Sequence, residues 1–209
     1  MKKILSQEAN NLLTPLKAIQ LLKDGNQRFI NNLKINRNLL QQVNETSDEQ
    51  NPFAIILSCI DSRTSAELIF DQGLGDIFSV RIAGNIVNED ILGSMEFACK
   101  FAGAQVIVVL GHTKCGAVKG VCDGVEVGNL SLLLEKLKPA VHAEKTITIN
   151  RNSKNVEFME KVATLNVTLM IDKIMEKSPL LKSMIDQKQI AIVGGMYNVD
   201  SGKVDFYDI

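Results

Sequence analysis

Two short apolar runs end in the same kind of chemistry, and that pairing limits what this chain can fold into. Val106-Ile107-Val108-Val109-Leu110 is β-branched and carries no polar side chain. A strand covered on both faces reads this way, and the run is too short for a core helix. It breaks at Gly111; His112 and Cys115 follow, and Gly116-Ala117-Val118 opens a helix expected to end near Cys122. Upstream, Phe53-Ala54-Ile55-Ile56-Leu57 is a second such run, and it ends in Ser58-Cys59-Ile60-Asp61-Ser62-Arg63. Thiol and imidazole groups thus fall just past the carboxyl ends of two strands expected to be parallel. Open α/β sheets build their sites there.

The rest of the chain alternates strand and helix signals. Thr14-Pro15 starts an amphipathic helix through Leu33, with an N-cap hydroxyl and a proline in the first turn, interrupted at Gly25. Residues 34–51 read as a polar arm with at most one short helical turn. Thr64-Ser65-Ala66-Glu67 fits a capping box. Ile77–Val80 reads as a strand and Arg81–Asn85 as a turn beyond it. Helices are expected over 90–103, over Leu130–Leu137 with a stop near Pro139, over 153–176, and after Ser178-Pro179. Ile190–Tyr197 is a late strand; Asp200-Ser201-Gly202 turns the chain and Val204–Tyr207 returns as an edge. The expected fold is α/β: a mostly parallel central sheet flanked by helices, an antiparallel edge strand at the C-terminus and an N-terminal helical arm. Residues 1–52 are expected to form that arm and 53–209 a single α/β domain that carries the thiol and imidazole groups. The arm suits packing on a partner subunit and packing on its own domain alike.

Charge and length exclude some function classes. With 23 basic and 24 acidic residues the net charge is −1, which offers no broad field for nucleic acid or an anionic membrane. No apolar run approaches the ~18 residues of a membrane span. Met1-Lys2-Lys3-Ile4-Leu5 begins like a signal peptide, but Ser6-Gln7-Glu8 stands where the apolar stretch should follow, so a cytoplasmic protein is expected. Four cysteines in 209 residues are too sparse for a disulfide scaffold and point to metal binding or catalysis.

Cys59, His112 and Cys115 are the candidate ligands. Two thiolates and an imidazole suit tetrahedral zinc, and three protein ligands leave the fourth position that marks a catalytic site. By pattern alone, buried structural cysteines are the alternative. Cys99 and Cys122 fall on apolar helical faces and read as core; His142 reads as a surface residue. The segment Gly111–Gly116 is not a phosphate loop, because Ala117-Val118 stand where a lysine and a hydroxyl should follow. Asp61 and Arg63 stand close after Cys59. The carboxylate can bind the metal or accept a hydrogen bond from its water, and the guanidinium can hold the carboxylate in a bidentate pair.

Cys59-x-Asp61-Ser62-Arg63, followed about fifty residues on by Gly111-His112-x-x-Cys115-Gly116, resembles the β-class carbonic anhydrases. The likeness runs from about Thr14 to the C-terminus. It takes in Leu22-x-x-Gly25-Asn26-x-Arg28-Phe29, Val80-Arg81-x-Ala83-Gly84-Asn85 and the terminal strand pair. The resemblance implies reversible hydration of carbon dioxide to bicarbonate and a proton, with a zinc-bound hydroxide as nucleophile. It implies Zn2+ on Cys59, His112 and Cys115, with Asp61 and Arg63 as a catalytic dyad; from the residues themselves, Asp61 is expected to become a metal ligand if Arg63 lets go of it. It places Gln50 and Phe78 in the substrate pocket, with Phe97 where the family has a tyrosine; Gly116 opens a helix whose amides can stabilise the Cys115 thiolate. It further implies a homodimer or homotetramer with the pocket at the subunit interface. Two rival readings keep the zinc site: hydrolysis of carbon disulfide or carbonyl sulfide, and a non-catalytic zinc-binding protein. The Asp61-Arg63 pair speaks against the second.

Overall fold

The computed structural model describes residues 13–207. The reading of Met1–Glu8 lies outside the described residues. Helix α1 (Pro15–Ile30) and a short α2 (Leu39–Glu45) precede β1 (Ala54–Ser58). Then come α3 (Ala66–Ile69), β2 (Ile77–Arg81), a 3-10 turn (Ala83–Asn85), α4 (Glu89–Lys100) and β3 (Val106–His112). The second half runs α5 (Gly116–Cys122), α6 (Gly128–Glu135), α7 (Lys138–Ala143), α8 (Val156–Lys177), α9 (Pro179–Asp186), β4 (Ala191–Tyr197) and β5 (Val204–Phe206).

The sheet order is β2-β1-β3-β4-β5, parallel throughout except for the antiparallel β4–β5 pair. From β1 the chain first steps outward to β2 and then returns to add β3 on the other side. The carboxyl ends of β1 and β3 therefore flank the point where the winding reverses, the place where such sheets open a crevice. Alternation along β3 feeds two cores. Val106, Val108 and Leu110 pack with Ala18, Ile19 and Leu22 of α1 and with Phe53 and Phe70. Ile107 and Val109 face Met95 of α4, Val167 and Met170 of α8, and Leu181 of α9. One face of α1 is thus spent on the chain's own sheet.

Several local expectations change. Strand β3 does not break at Gly111: it continues through His112, because Gly111 and His112 pair with Met196 and Tyr197 of an equally long β4. Gly25 does not interrupt α1; a Cβ there would lie 1.8 Å from the Phe70 carbonyl oxygen, so the glycine lets the helix approach that backbone. Ser65, not Thr64, is the N-cap of α3, and its side chain makes no capping bond. Pro139 sits in the first turn of α7 instead of stopping α6, which already ends at Glu135. The polar arm holds a full short helix, α2, capped by Asn38. Arg28 and Arg37 fasten it, each donating to the buried Asp71 carboxylate at 2.5 Å.

Candidate metal centre

Three side chains meet at the reversal point. Cys59 follows the last residue of β1, His112 is the last residue of β3, and Cys115 is the N-cap of α5. Their ligand atoms all lie within 4.8 Å of one another, and all three residues are buried. The Cys59 and Cys115 sulfurs are 4.0 Å apart. Two thiolates at zinc bond lengths on a tetrahedron stand about 3.8 Å apart, so this pair needs little movement to share the ion.

The histidine supplies the clearest sign of a metal. Its Nδ1 lies 2.9 Å from the carbonyl oxygen of Thr113. A carbonyl only accepts, so Nδ1 carries the proton and Nε2 presents a lone pair. Nε2 is buried and has no hydrogen-bond partner among the described residues. An orphaned acceptor facing two sulfurs costs stability unless a cation takes it. The donor set and this atom together fit zinc.

The two sulfurs are electrostatically unlike without a metal. Cys59 is held well below the usual thiol range, first by the hydrogen bond from Cys115 and then by the backbone of Asp61 and Gly84. Cys115 is pushed up by its contact with Cys59 and by burial, against the opposing pull of the Ala117 and Val118 amides. The pocket thus stabilises one negative charge, and a second requires a cation between the sulfurs.

Asp61 lies beside this group. Arg63 closes on it through Nε to Oδ1 at 2.9 Å and Nη2 to Oδ2 at 2.8 Å, and the Arg63 amide adds a third bond to Oδ1 at 3.0 Å. The Arg63 side chain holds the Asp61 carboxyl well below the ordinary carboxylate range. Both Asp61 oxygens are therefore engaged by Arg63, and Asp61 is not in the three-residue ligand group.

Of the pocket residues, Gly116 adjoins the centre, at the start of α5, where an added Cβ would meet nothing within 4 Å. The others lie elsewhere on the protomer. Gln50 is exposed and lines a hollow of about 300 Å³ with Thr46–Glu49 and Gly75. Phe78 pairs with Ile55, three rungs before the Ser58–Arg81 pair that ends the ladder. Its ring meets Phe97 edge-on at 6.4 Å, beside the open edge of the sheet. Phe97 is 55% exposed and stacks on Phe101, which is 78% exposed. Cys99 is a core residue whose thiol burial pushes up to about 12, and half-buried Cys122 is pushed up to about 11 by burial. His142 is exposed.

Two supports of the site escaped sequence reading. Arg81 donates to the carbonyls of Cys59 (3.2 Å), Ile60 (3.1 Å) and Asp61 (2.7 Å). The Thr64 hydroxyl bonds the Cys59 and Asp61 carbonyls at 2.8 and 2.9 Å. Together they fix the backbone that carries both a ligand and the carboxylate. The only signal for Arg81 was its place beside Gly84 and Asn85 in one motif, and the capping-box reading gave Thr64 a different partner.

Comparison with known proteins agrees with this geometry. The carbonic anhydrase family model matches residues 54–204. Carbonic anhydrase 2 of Mycobacterium tuberculosis is 34% identical over 206 residues, covering 93% of each chain. The carbonic anhydrase of Mycolicibacterium smegmatis is 30% identical over 197 residues, covering 91% of this chain and 92% of its own. Among solved structures, the β-carbonic anhydrase CafA of Aspergillus fumigatus superposes with a TM-score of 0.69 at 23% identity, over 81% of both chains.

Proposed function

Since the chain belongs to the β-class carbonic anhydrases, we propose that Cys59, His112 and Cys115 hold its zinc and that Asp61 and Arg63 form the dyad beside it. The family's reaction, reversible hydration of carbon dioxide to bicarbonate and a proton, is the activity of this zinc enzyme. Zinc, when bound, supplies the Lewis acidity that makes water a nucleophile near neutral pH. The residues supply the rest. Cys59 and Cys115 neutralise the ion's charge, and the Thr113 carbonyl aims Nε2 of His112 at it.

Asp61 acts as an acceptor. Ionised and locked by Arg63, it can take a hydrogen bond from a donor at the open side of the ion, fixing that donor's orientation. Were Arg63 to release it, the same carboxylate would be free to act as a further metal ligand. Gly116 leaves the approach clear. Gln50, Phe78 and Phe97 complete the substrate pocket across a subunit interface, one protomer lending them to its partner. The exposed Phe97 and Phe101, and Leu39, Leu40 and Val43 of the 1–52 arm, supply the apolar surface for that contact. We assign residues 53–209 to the catalytic unit, and a cytoplasmic homodimer or homotetramer as the working form. No described helix is long and apolar enough to cross a membrane.

The observation that carries the zinc assignment is the buried, unpartnered Nε2 of His112 facing two sulfurs. Metal analysis with stopped-flow carbon dioxide hydration tests it. One zinc per chain and activity lost in Cys59→Ser support it; full hydration by Cys59→Ser would sink it.

A further inference from the structure

We propose that Asn166 is a positioning residue of the metal centre, acting on Cys59 through Gly84; the inference rests on the reading of Cys59 as a zinc ligand. Asn166 lies in the middle of α8 and is 1% exposed. Its helical neighbours on the buried side are Val162, Ala163, Val167 and Met170, all core residues. Asparagine is a poor helix former, and its burial is costly unless its amide is satisfied. Here satisfaction is partial. Nδ2 donates to the Gly84 carbonyl at 2.9 Å, while Oδ1 has no partner among the described residues. A well-packed apolar side chain would avoid that penalty. The one bond Asn166 does make must account for its presence.

That bond ends on the residue that touches Cys59. The Gly84 amide donates to the Cys59 sulfur at 3.4 Å. Gly84 has φ +68°, and a Cβ there would come within 2.8 Å of Leu137 Cδ1 and 3.2 Å of the Ala117 Cβ. The turn is therefore pinned by packing on one side and by Asn166 on the other. Gly84 links the two contacts: its carbonyl is held by the helix, and its N–H points at the ligand.

The need for this donor follows from the ligand set. Two thiolates feed charge onto the ion, which weakens its Lewis acidity, and an N–H bonded to a thiolate draws some of that charge back. Cys115 is the N-cap of α5 and so stands at the amide-rich start of a helix, although its sulfur makes no capping bond. Cys59 stands at a strand end, and its amide donor comes from the 3-10 turn Ala83–Asn85, through the Gly84 N–H. Asn166 keeps that amide aimed.

The test compares zinc-loaded wild type, Asn166→Asp and Ile174→Ala. Asn166→Asp preserves shape but sets an acceptor against the Gly84 carbonyl. Ile174→Ala truncates a buried side chain of the same helix and serves as a control for lost stability. Zinc release to a chromophoric chelator and hydrogen exchange of the Gly84 amide are followed. The expected result is release about 10–100-fold faster in Asn166→Asp, with faster Gly84 exchange, and a near-wild-type release rate in Ile174→Ala. Equal release rates in all three proteins, each loaded with one zinc, overturn this proposal alone. A wild-type chain that takes no zinc overturns the site reading and this proposal with it. Should Asn166→Asp not fold, wild type loaded with NMR-active cadmium decides: the Gly84 amide proton must show scalar coupling to the metal, and its absence overturns the tether.

Discussion

Arg63 grips Asp61 as a two-pronged fork, with Nε and Nη2 each on a different carboxylate oxygen at 2.9 and 2.8 Å. Such pairs are directional, and only a planar guanidinium makes them. Arg63→Ala should therefore leave zinc content unchanged and lower carbon dioxide hydration by about 10–100-fold. Arg63→Lys should recover little, because an ammonium cannot hold both oxygens. Stopped-flow rates with metal analysis decide this; a lysine variant at wild-type rate would show that charge alone suffices.

Removing the metal should also loosen the fold. The unpaired Nε2 of His112 and two sulfurs at 4.0 Å sit in the core between β1, β3 and α5. Zinc binds the folded chain and so raises its stability by mass action, by about 4 kcal/mol at a thousandfold excess over Kd. Chelation should lower Tm and abolish turnover, and zinc should restore both. In His112→Ala, chelation should change Tm far less.

A second carboxylate gives the fold its acid sensitivity. The Glu144 side chain is 1% exposed and takes hydrogen bonds from the Thr146 hydroxyl and amide, the Ile147 amide and Arg151. The Thr146 hydroxyl is the largest of the influences that bring its pKa from 4.5 to about 2. A folded-state value below the unfolded one means the contribution is complete above about pH 4.5 and is lost as pH falls toward 2. Thermal melts between pH 6 and pH 2 should show a steeper acid loss for wild type than for Glu144→Gln. Parallel curves would remove Glu144 from the account.

How much of this was written in the chain depends on the range of each interaction. The ligands could be read because soft donors at two strand ends are rare and local. Thr14-Pro15 and Ser178-Pro179 could be read because caps and first-turn prolines act within one turn. Gly111 and His112 looked like a break because nothing nearby reveals that β4 runs alongside them. Arg81, Thr64 and Asn166 were invisible as site residues. The partners of Arg81 and Asn166 are carbonyls that come within reach only after the chain has folded, whereas Thr64 bonds carbonyls three and five residues back and was hidden by the capping-box pattern. Pro139 misled because a proline that ends one helix and a proline that begins the next look alike in sequence.

Gly84 offers a sharp test of the turn beside Cys59. Its φ of +68° costs an L-residue about 1–2 kcal/mol before any contact. An alanine methyl would also crowd Leu137 at 2.8 Å and Ala117 at 3.2 Å, forcing the turn away from the sulfur. Gly84→Ala should lower Tm and weaken zinc retention together. A variant with reduced Tm and unchanged zinc affinity would separate the turn from the metal centre.

The aromatic edge decides whether one protomer suffices. Phe97 and Phe101 are 55% and 78% exposed, stacked at 6.2 Å between centroids, beside a sheet edge that ends in β2. With Phe78 and Val80 they line or border a hollow of about 630 Å³ that also carries Glu89 and Asp90. Large exposed rings of this kind mark a surface that another surface covers. If a second copy covers them, a charge there is intolerable at the interface and harmless to the isolated fold. Phe101→Glu should therefore melt within a few degrees of wild type but sediment as a smaller species. Carbon dioxide hydration should fall with it, because each metal centre would lose the Gln50, Phe78 and Phe97 of its partner. Sedimentation velocity and stopped-flow rates on the same samples test both halves of the argument. A Phe101→Glu protein that is monomeric and fully active would show that the pocket is complete within one chain.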